Sequence, residues 1–190
     1  LPSKALSFLR ADSAEGRDYL ALLAFCVDFS FLNRECMTAR IVDALGGVLG
    51  RRVEPAEMIN IHHNYASLET HFGREVWVHR KGAVSAARGR LGIIPGSMGS
   101  PSFITEGLGN PDSFNSSSHG AGRVMSRGEA LRTLSLKEFR ARMGGVLFRC
   151  EKSLLDESPM AYKNIREVMG MQKDLVKIVH TLRPLAVEKG

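Results

Sequence analysis

The chain has 190 residues, 44% of them apolar and 24% charged, with a formal net charge of +6 and a pI near 9.5. That length buries a real core as one domain or somewhat more, and the balance is ordinary for a soluble globular protein. The longest apolar run falls far short of the roughly 20 residues a membrane span needs. Cys26, Cys36 and Cys150 are odd in number and form no CxxC pair, which argues against disulfides and a structural zinc site. The basic excess favours an anionic partner such as a nucleic acid or a nucleotide. The opening "LPSKALSFLR" lacks a basic start followed by an apolar block, so the expected compartment is the cytoplasm. It starts on Leu and enters at once on a Pro-Ser turn, the expected look of a piece of something longer.

The first stretch, residues 11 to 50, reads as helix. Asp12 with Glu15 three residues on suggests the cap, and Tyr19, Leu22, Leu23 and Cys26 fall at helical spacing, as do Met37, Ile41, Ala44 and Leu45. The length predicts a break near Phe31 to Asn33, a stop at Gly46 and Gly47, and a buried thiol at Cys26. Short β-like runs follow: "MINIHHNYA", "EVWVHRKGA", "LGIIPGSMG" and "PSFITEG". Residues 105 to 123, rich in Gly, Ser and Asn, read as loop. Helical patterns return at "SRGEALRTL" and "SLKEFRARM", the second with a capping box of Ser135 and Glu138. "GGVLFRC" reads as a strand, and "KNIREVMGMQKDLVKIVHTL" as a helix passing into a final strand that ends "RPLAVEKG". The fold class is α+β, mixed strands and helices without the regular alternation of a Rossmann sheet.

Four segments carry chemistry. In "IPGSMGSPS" the glycines at 96 and 99 let successive N–H groups face one concavity, and Ser97 and Ser102 add hydroxyls. Such a segment suits phosphate oxygens or a base edge, or else is a tight turn between strands. In "SHGAGR", Gly120 and Gly122 permit close backbone approach and Arg123 offers a fork for phosphate. His119 at the lip is a general base, a metal ligand, a nucleophile toward phosphorus, or a solvated loop histidine. In "IHHNYASLE" adjacent histidines on a strand point to opposite faces, so His62 and His63 cannot hold one ion together, and no HxxxH or HExxH spacing is present. "VHRKGA" offers a run of cations for a phosphate backbone, or is a solvated strand end. His71 and His180 have no suggestive neighbours, and Trp77 reads as core.

In order, "HHNYA", "HRKGA", "IIPGSMG", "SFI", "GNPDSF", "SHGAGR", "MSR", "PMAYK" and the terminal Lys-Gly resemble the RtcB family of RNA-splicing and RNA-repair ligases. The resemblance runs over essentially the whole chain, including "EGRDYL" and "LNR". It implies the RtcB-type ligase fold and an enzyme that joins 2′,3′-cyclic phosphate or 3′-phosphate RNA ends to 5′-hydroxyl ends, using GTP and Mn²⁺. The reaction passes through a covalent histidine–GMP adduct, and His119 matches that nucleophile. His63 matches a manganese ligand and, with Asn64, borders the nucleotide. Pro95, Gly96, Ser97 and Met98 match a guanine-nucleotide segment and Ser102 a further contact. His119, Gly120, Ala121 and Gly122 surround the transferred GMP, Lys189 matches a penultimate lysine reaching the base, and Tyr162 packs near the nucleotide. Charge and position nominate Arg80, Lys81 and Arg123 for RNA phosphates.

The family's other metal ligands, a cysteine, an aspartate and two histidines, belong to motifs not found in this sequence. Residues 1–190 are therefore expected to be the C-terminal, nucleotide-accepting part of such a ligase, without the upstream metal-binding half. His63 alone cannot hold manganese. The alternative is a non-catalytic nucleotide- or RNA-binding remnant, and splicing and repair share one chemistry. The expected partners are RNA, whether tRNA halves or broken RNA, and an archease-type activator, with a monomer as the expected state and no membrane.

Overall fold

The computed structural model describes residues 7–55 and 58–189. The chain divides into two compact units, Leu1–Lys81 and Gly82–Gly190.

The first unit holds helix α1 (Ala14–Leu49) and a hairpin of β1 (Asn64–His71) and β2 (Arg74–Lys81). Helix α1 runs unbroken through Phe31 to Asn33, because nothing between Ala14 and Leu45 is a Gly or Pro apart from Gly16. Gly46 and Gly47 stay helical, and Gly50 at φ 62° ends the helix with its N–H on the Gly46 carbonyl. The N-cap is Ser13, not Asp12: Ser13 Oγ accepts from the Gly16 N–H, while the Asp12 carboxylate is paired with Arg10. Leu20, Leu23, Val27, Phe31, Arg34 and Thr38 form a half-buried stripe at helical spacing. Cys26 lies off that stripe and is exposed, which corrects its expected burial. The opposite face carries Leu22, Phe25, Phe29, Leu32 and Cys36, all exposed, at alternating spacings of three and four.

The hairpin closes through Phe72 (φ 51°) and Gly73 (φ 74°), the paired positive φ values of a two-residue turn that matches strand twist. Period-two alternation puts Tyr65, Ser67, Glu69 and His71 on one face of β1. Arg80, directly across from Tyr65, is 2% exposed on that face. Its guanidinium donates to both Glu69 oxygens, to Tyr65 Oη at 3.2 Å and to Ser67 Oγ at 3.3 Å, and stands over the Tyr65 ring. His71, buried beside it, meets Glu69 Oε2 at 2.8 Å. His71 thus has the partner its local sequence did not suggest. Trp77, read as core, is 45% exposed.

In the second unit, β4 (Leu91–Ile94), β5 (Ser102–Gly107) and β8 (Val176–Leu182) form an antiparallel sheet with β5 central. Strict alternation on β4 and β5 sends Ile94, Phe103 and Thr105 inward. Strand β3 (Ala83–Ser85) pairs with β6 (Ser116–Ser118), and β7 (Leu147–Phe148) pairs in parallel with β9 (Ala186–Val187). Thus the stretch expected as loop, 105 to 123, contains the end of β5, a short 3₁₀ turn at Pro111–Ser113 and β6. Helices α2 (Arg127–Thr133) and α3 (Leu136–Arg142) match the expected segments. Ser135 Oγ accepts from the Glu138 N–H at 3.2 Å, the N-cap half of the expected capping box, and donates to the Glu138 carboxylate at 2.6 Å.

The helix expected over 163 to 182 shrinks to α4 (Ile165–Gly170). Gly170 ends it, and the branched run Val176, Ile178, Val179, Thr181 suits the pleated edge of β5 better than a helix. One core gathers Ala86, Ile94, Phe103, Ala121, Ile165, Met169 and Val176; a second gathers Met98, Phe139, Met143 and Leu155. The α+β reading holds, and among the described residues no helix is long and apolar enough to cross a membrane.

The Arg80 guanidinium holds the Glu69 carboxyl down to about 2, with burial working against it and Ser67 and His71 adding to the depression. A carboxyl whose folded value lies below its unfolded one contributes stability that is present above the unfolded value. That stability is lost as pH falls from about 4.3 toward about 2. Amide exchange across β1 and β2 is therefore expected to quicken over this window, and Glu69→Gln to be exchange-prone at neutral pH with the acid dependence much reduced.

Candidate functional site

The site is built from turns of the second unit, each anchored in one of its cores. Pro95 follows the buried end of β4, and Met98, 5% exposed, plugs the Gly96–Ser97 turn into the second core. The turn is laced from within: the Ser97 N–H donates to Ser100 Oγ at 2.6 Å, and the two hydroxyls lie 2.8 Å apart. A Cβ on Gly96 would stand 2.4 Å from the Pro101 carbonyl and 2.4 Å from Ser100 Oγ, so this close approach requires glycine. The segment is thus a tight turn, and it also forms a pocket wall, which joins the two readings left open for it.

The second wall is residues 119–122. The Ala121 N–H donates to the Pro95 carbonyl at 3.0 Å and its methyl enters the first core, which ties this wall to the first. From β6, Ser118 reaches the buried Gln172 through both its N–H and its hydroxyl. Next in the chain, His119 places Nδ1 2.6 Å from the Gly82 carbonyl oxygen. A carbonyl oxygen only accepts, so Nδ1 carries the proton and the imidazole presents its lone pair at Nε2. Gly82 sits at φ 71°, in the left-handed region, which aims that carbonyl at the ring.

A third wall comes from residues 157–163. The Lys163 N–H donates to the Gly122 carbonyl and the Val124 N–H to the Ala161 carbonyl, each at 2.9 Å. The segments "HGAGR" and "PMAYK", some 40 residues apart in sequence, are therefore zipped side by side. Arg123 stacks over the Tyr162 ring with Cζ 5.0 Å from its centroid, and donates to Tyr162 Oη and the Met125 carbonyl, both at 3.1 Å. Its Nη2 is buried with no hydrogen-bond partner among the described residues, a costly arrangement that a ligand oxygen would relieve. The fourth wall is the tail: β9 carries the chain past Val187 to Lys189, whose Nζ lies 3.3 Å from Glu157 Oε2.

Together these walls enclose a cavity of about 710 Å³. Pro95, Gly96, Ser97, Met98, Ser102, His119, Gly120, Ala121, Gly122, Arg123, Tyr162 and Lys189 all line it. Arg123, Arg127, Arg183 and Lys189 face it against one carboxylate, Glu157, so the lining has three excess positive charges. Such a pocket concentrates a polyanion of small-molecule size.

The remaining expected site residues lie in the first unit. His63 and Asn64 are exposed, His63 just before β1 and Asn64 as its first residue, and Lys81 is exposed at the end of β2. His62 is half-buried, its Nδ1 3.2 Å from Arg34 Nη2. Arg80, nominated for an RNA phosphate, is buried and committed to Glu69, which corrects that expectation. Among the described residues no three His, Cys, Asp or Glu side chains gather into a metal-holding group. The described residues therefore do not by themselves fit a manganese site.

Sequence reasoning missed Glu157, Arg127, Gln172 and the part played by Gly82. Glu157 accepts from Arg127, Tyr162 and Lys189. Burial pushes its carboxyl up, but the Tyr162 hydrogen bond, the Lys189 charge and the bonds from Arg127 and Lys189 together hold it below the usual value. Burial and the bond to Glu157 raise the Tyr162 phenol. Only the acidic pair Asp156-Glu157 just before "PMAYK" hinted at this centre.

The Gly96 contacts give a direct check. Gly96→Ala is expected to cost about 1–3 kcal/mol by overpacking, lowering the melting temperature and opening the serine-laced turn, read by chemical shifts of Ser97 and Ser100.

The family model for the tRNA-splicing ligase RtcB matches residues 1–190. The RNA-splicing ligase RtcB of Escherichia coli K12 is 46% identical to the whole chain, as is RNA-splicing ligase RtcB1 of E. coli strain ATCC 25922. The tRNA-splicing ligase RtcB of Nanoarchaeum equitans is 32% identical, again over the whole chain. These alignments take in 48%, 48% and 46% of the respective relatives, so the chain spans about half the length of the curated proteins it matches. The order of the pocket-lining motifs and the match over every residue lead to one conclusion: the chain belongs to the RtcB family of RNA ligases.

Proposed function

We propose that this chain is the nucleotide-accepting part of a GTP-dependent ligase that joins 2′,3′-cyclic phosphate or 3′-phosphate RNA ends to 5′-hydroxyl ends. The observation that carries the reading is His119, its Nδ1 proton held 2.6 Å from the Gly82 carbonyl at the edge of a cation-lined pocket. With that proton fixed, Nε2 is the nitrogen whose lone pair would attack the α-phosphorus of GTP. A P–N bond forms there as the α–β bridging P–O bond breaks and pyrophosphate leaves. The Gly82 carbonyl keeps the Nδ1 proton and offsets the positive charge that the ring acquires on phosphorylation. The GMP then passes to an RNA 3′-phosphate, and the 5′-hydroxyl displaces it. Arg123, with its buried unpartnered Nη2, fits a phosphate oxygen in either step.

Mn²⁺ belongs to this reading as the family's metal, with His63 as one donor and its other donors drawn from outside the described residues. RNA is the polymeric partner, and an archease-type activator, a monomeric state and a cytoplasmic setting are parts of the same proposal. A pocket of this shape that never charges His119 would be a nucleotide-binding remnant, and one experiment separates the two.

A full-length ligase that contains this chain, incubated with α-labelled GTP and Mn²⁺, is expected to take up an acid-labile label that His119→Ala abolishes; label persisting in that variant overturns the nucleophile assignment. The 190-residue chain alone is expected to label poorly or not at all, and robust labelling would mean that its own residues suffice for the metal.

A further inference from the structure

The strand that delivers His119 is only three residues long, Ser116–Ser118, and pairs with β3 along one edge. Its other edge meets a side chain. We infer that Gln172 is a positioning residue for His119: its buried amide closes the free edge of β6 and so keeps the imidazole seated on the Gly82 carbonyl with its proton at Nδ1. What this does for GMP transfer rests on the nucleotide reading above; the seating of the ring does not.

Gln172 is 5% exposed, and both lone pairs and both hydrogens of its amide are used. Oε1 accepts from the Ser118 N–H at 3.1 Å and from the Ser118 hydroxyl at 3.2 Å. Nε2 donates to Ser118 Oγ at 2.9 Å and to Met169 Sδ at 3.2 Å. A backbone N–H only donates and a thioether only accepts, so the amide fits one way round. The root of the side chain is equally committed. The Gln172 carbonyl takes the N–H groups of Leu175 and Val176, both at 3.1 Å, and Val176 starts β8 inside the first core. The amide thus stands where the peptide of a third strand would stand, anchored in the turn between α4 and β8.

The placement of Ser118 reaches the ring directly. The His119 N–H and Nδ1 meet the same Gly82 oxygen, at 3.3 and 2.6 Å, so a slip of β6 against β3 disturbs both contacts together. Downstream, the next anchor is the Ala121 N–H on the Pro95 carbonyl, and Gly120 lies between it and the histidine. Glycine rotates freely, so that anchor steers the ring less than Ser118 does. Ser117 supplies the contrast. It is as buried as Gln172, but its hydroxyl has no partner among the described residues, so it fills space without orienting a neighbour.

The test uses a full-length ligase that contains this chain, with Gln172→Met, Ser118→Ala and, as control, Ser117→Ala. One readout is the pair of ring-nitrogen chemical shifts of His119 in isotope-labelled, nucleotide-free protein, assigned by their loss in His119→Ala. The other is the rate of GMP transfer to the protein as GTP is varied. Gln172→Met nearly keeps the volume and removes every bond to Ser118. It is expected to move the ring shifts from the Nδ1–H pattern toward a mixture of tautomers. It should also slow the limiting transfer rate about tenfold to hundredfold, with the half-saturating GTP concentration changed less than about twofold. Ser118→Ala keeps the N–H bond and loses the two through the hydroxyl, so it should fall between; it decides the matter if Gln172→Met fails to fold. Ser117→Ala should match the parent in both readouts. Ring shifts that stay at the parent values in Gln172→Met or, where that variant does not fold, in Ser118→Ala overturn the inference. So do shifts that move as far in Ser117→Ala, or a slower transfer that excess GTP restores in full. If the parent takes up no GMP, displaced ring shifts in Gln172→Met uphold the seating of His119 while the nucleotide reading falls.

Discussion

A carbonyl oxygen has lone pairs and no proton to give. The contact between the Gly82 carbonyl and His119 Nδ1 therefore decides the tautomer of the one histidine that lines the pocket. Everything else in the site can be ordered around that decision. Gly82 takes the left-handed angle that points the carbonyl at the ring, and β6 with its bonds to Gln172 sets the height of the ring. The link from Ala121 to Pro95 then fixes the distance between the histidine wall and the serine-laced turn. Each is an ordinary backbone device, and together they leave an imidazole whose protonated nitrogen is chosen before any ligand arrives.

The charge distribution complements this. Among the described residues four cations line the cavity, and the one side-chain carboxylate of the lining is spent on holding three of the pocket's own donors. Arg123 shows the same economy: two of its nitrogens are tied to Tyr162 and to the Met125 carbonyl, which leaves the buried Nη2 as the group in need of an acceptor. The hairpin of the first unit solves a similar problem in the other direction. There Arg80 and Glu69 are both spent on each other, so a cation that looks available in "VHRKGA" is internal.

Local chemistry was legible in the sequence, and long-range pairing was not. The motif segments could be read because glycines, serines and a histidine at close spacing imply tight backbone by themselves. Ser135 and Glu138 announced their helix because a capping box is complete within four residues. The helix expected over 163 to 182 failed because nothing local says that Val176 to Leu182 will find β5, some 75 residues earlier. The break expected in α1 failed for a related reason: a length prior was allowed to outweigh a stretch with no residue that stops a helix. Glu157 stayed hidden because its partners sit 30 residues before it, five after it and 32 after it. Arg80 was misjudged because the sequence displays a charge but not the carboxylate folded against it.

The parallel pair of β7 and β9 has a kinetic meaning. Among the described residues the tail bearing Lys189 is docked by a ladder of two residues, the Leu147 N–H on the Leu185 carbonyl, the side chain of Val187 against the second core, and two exposed or half-exposed ion pairs, Arg149–Glu188 and Lys189–Glu157. Elements held by so few backbone bonds open at free energies far below that of global unfolding. The fourth wall of the pocket, resting on β9, is therefore the one expected to open at the lowest free energy, below the walls built on β4 and on Gly82.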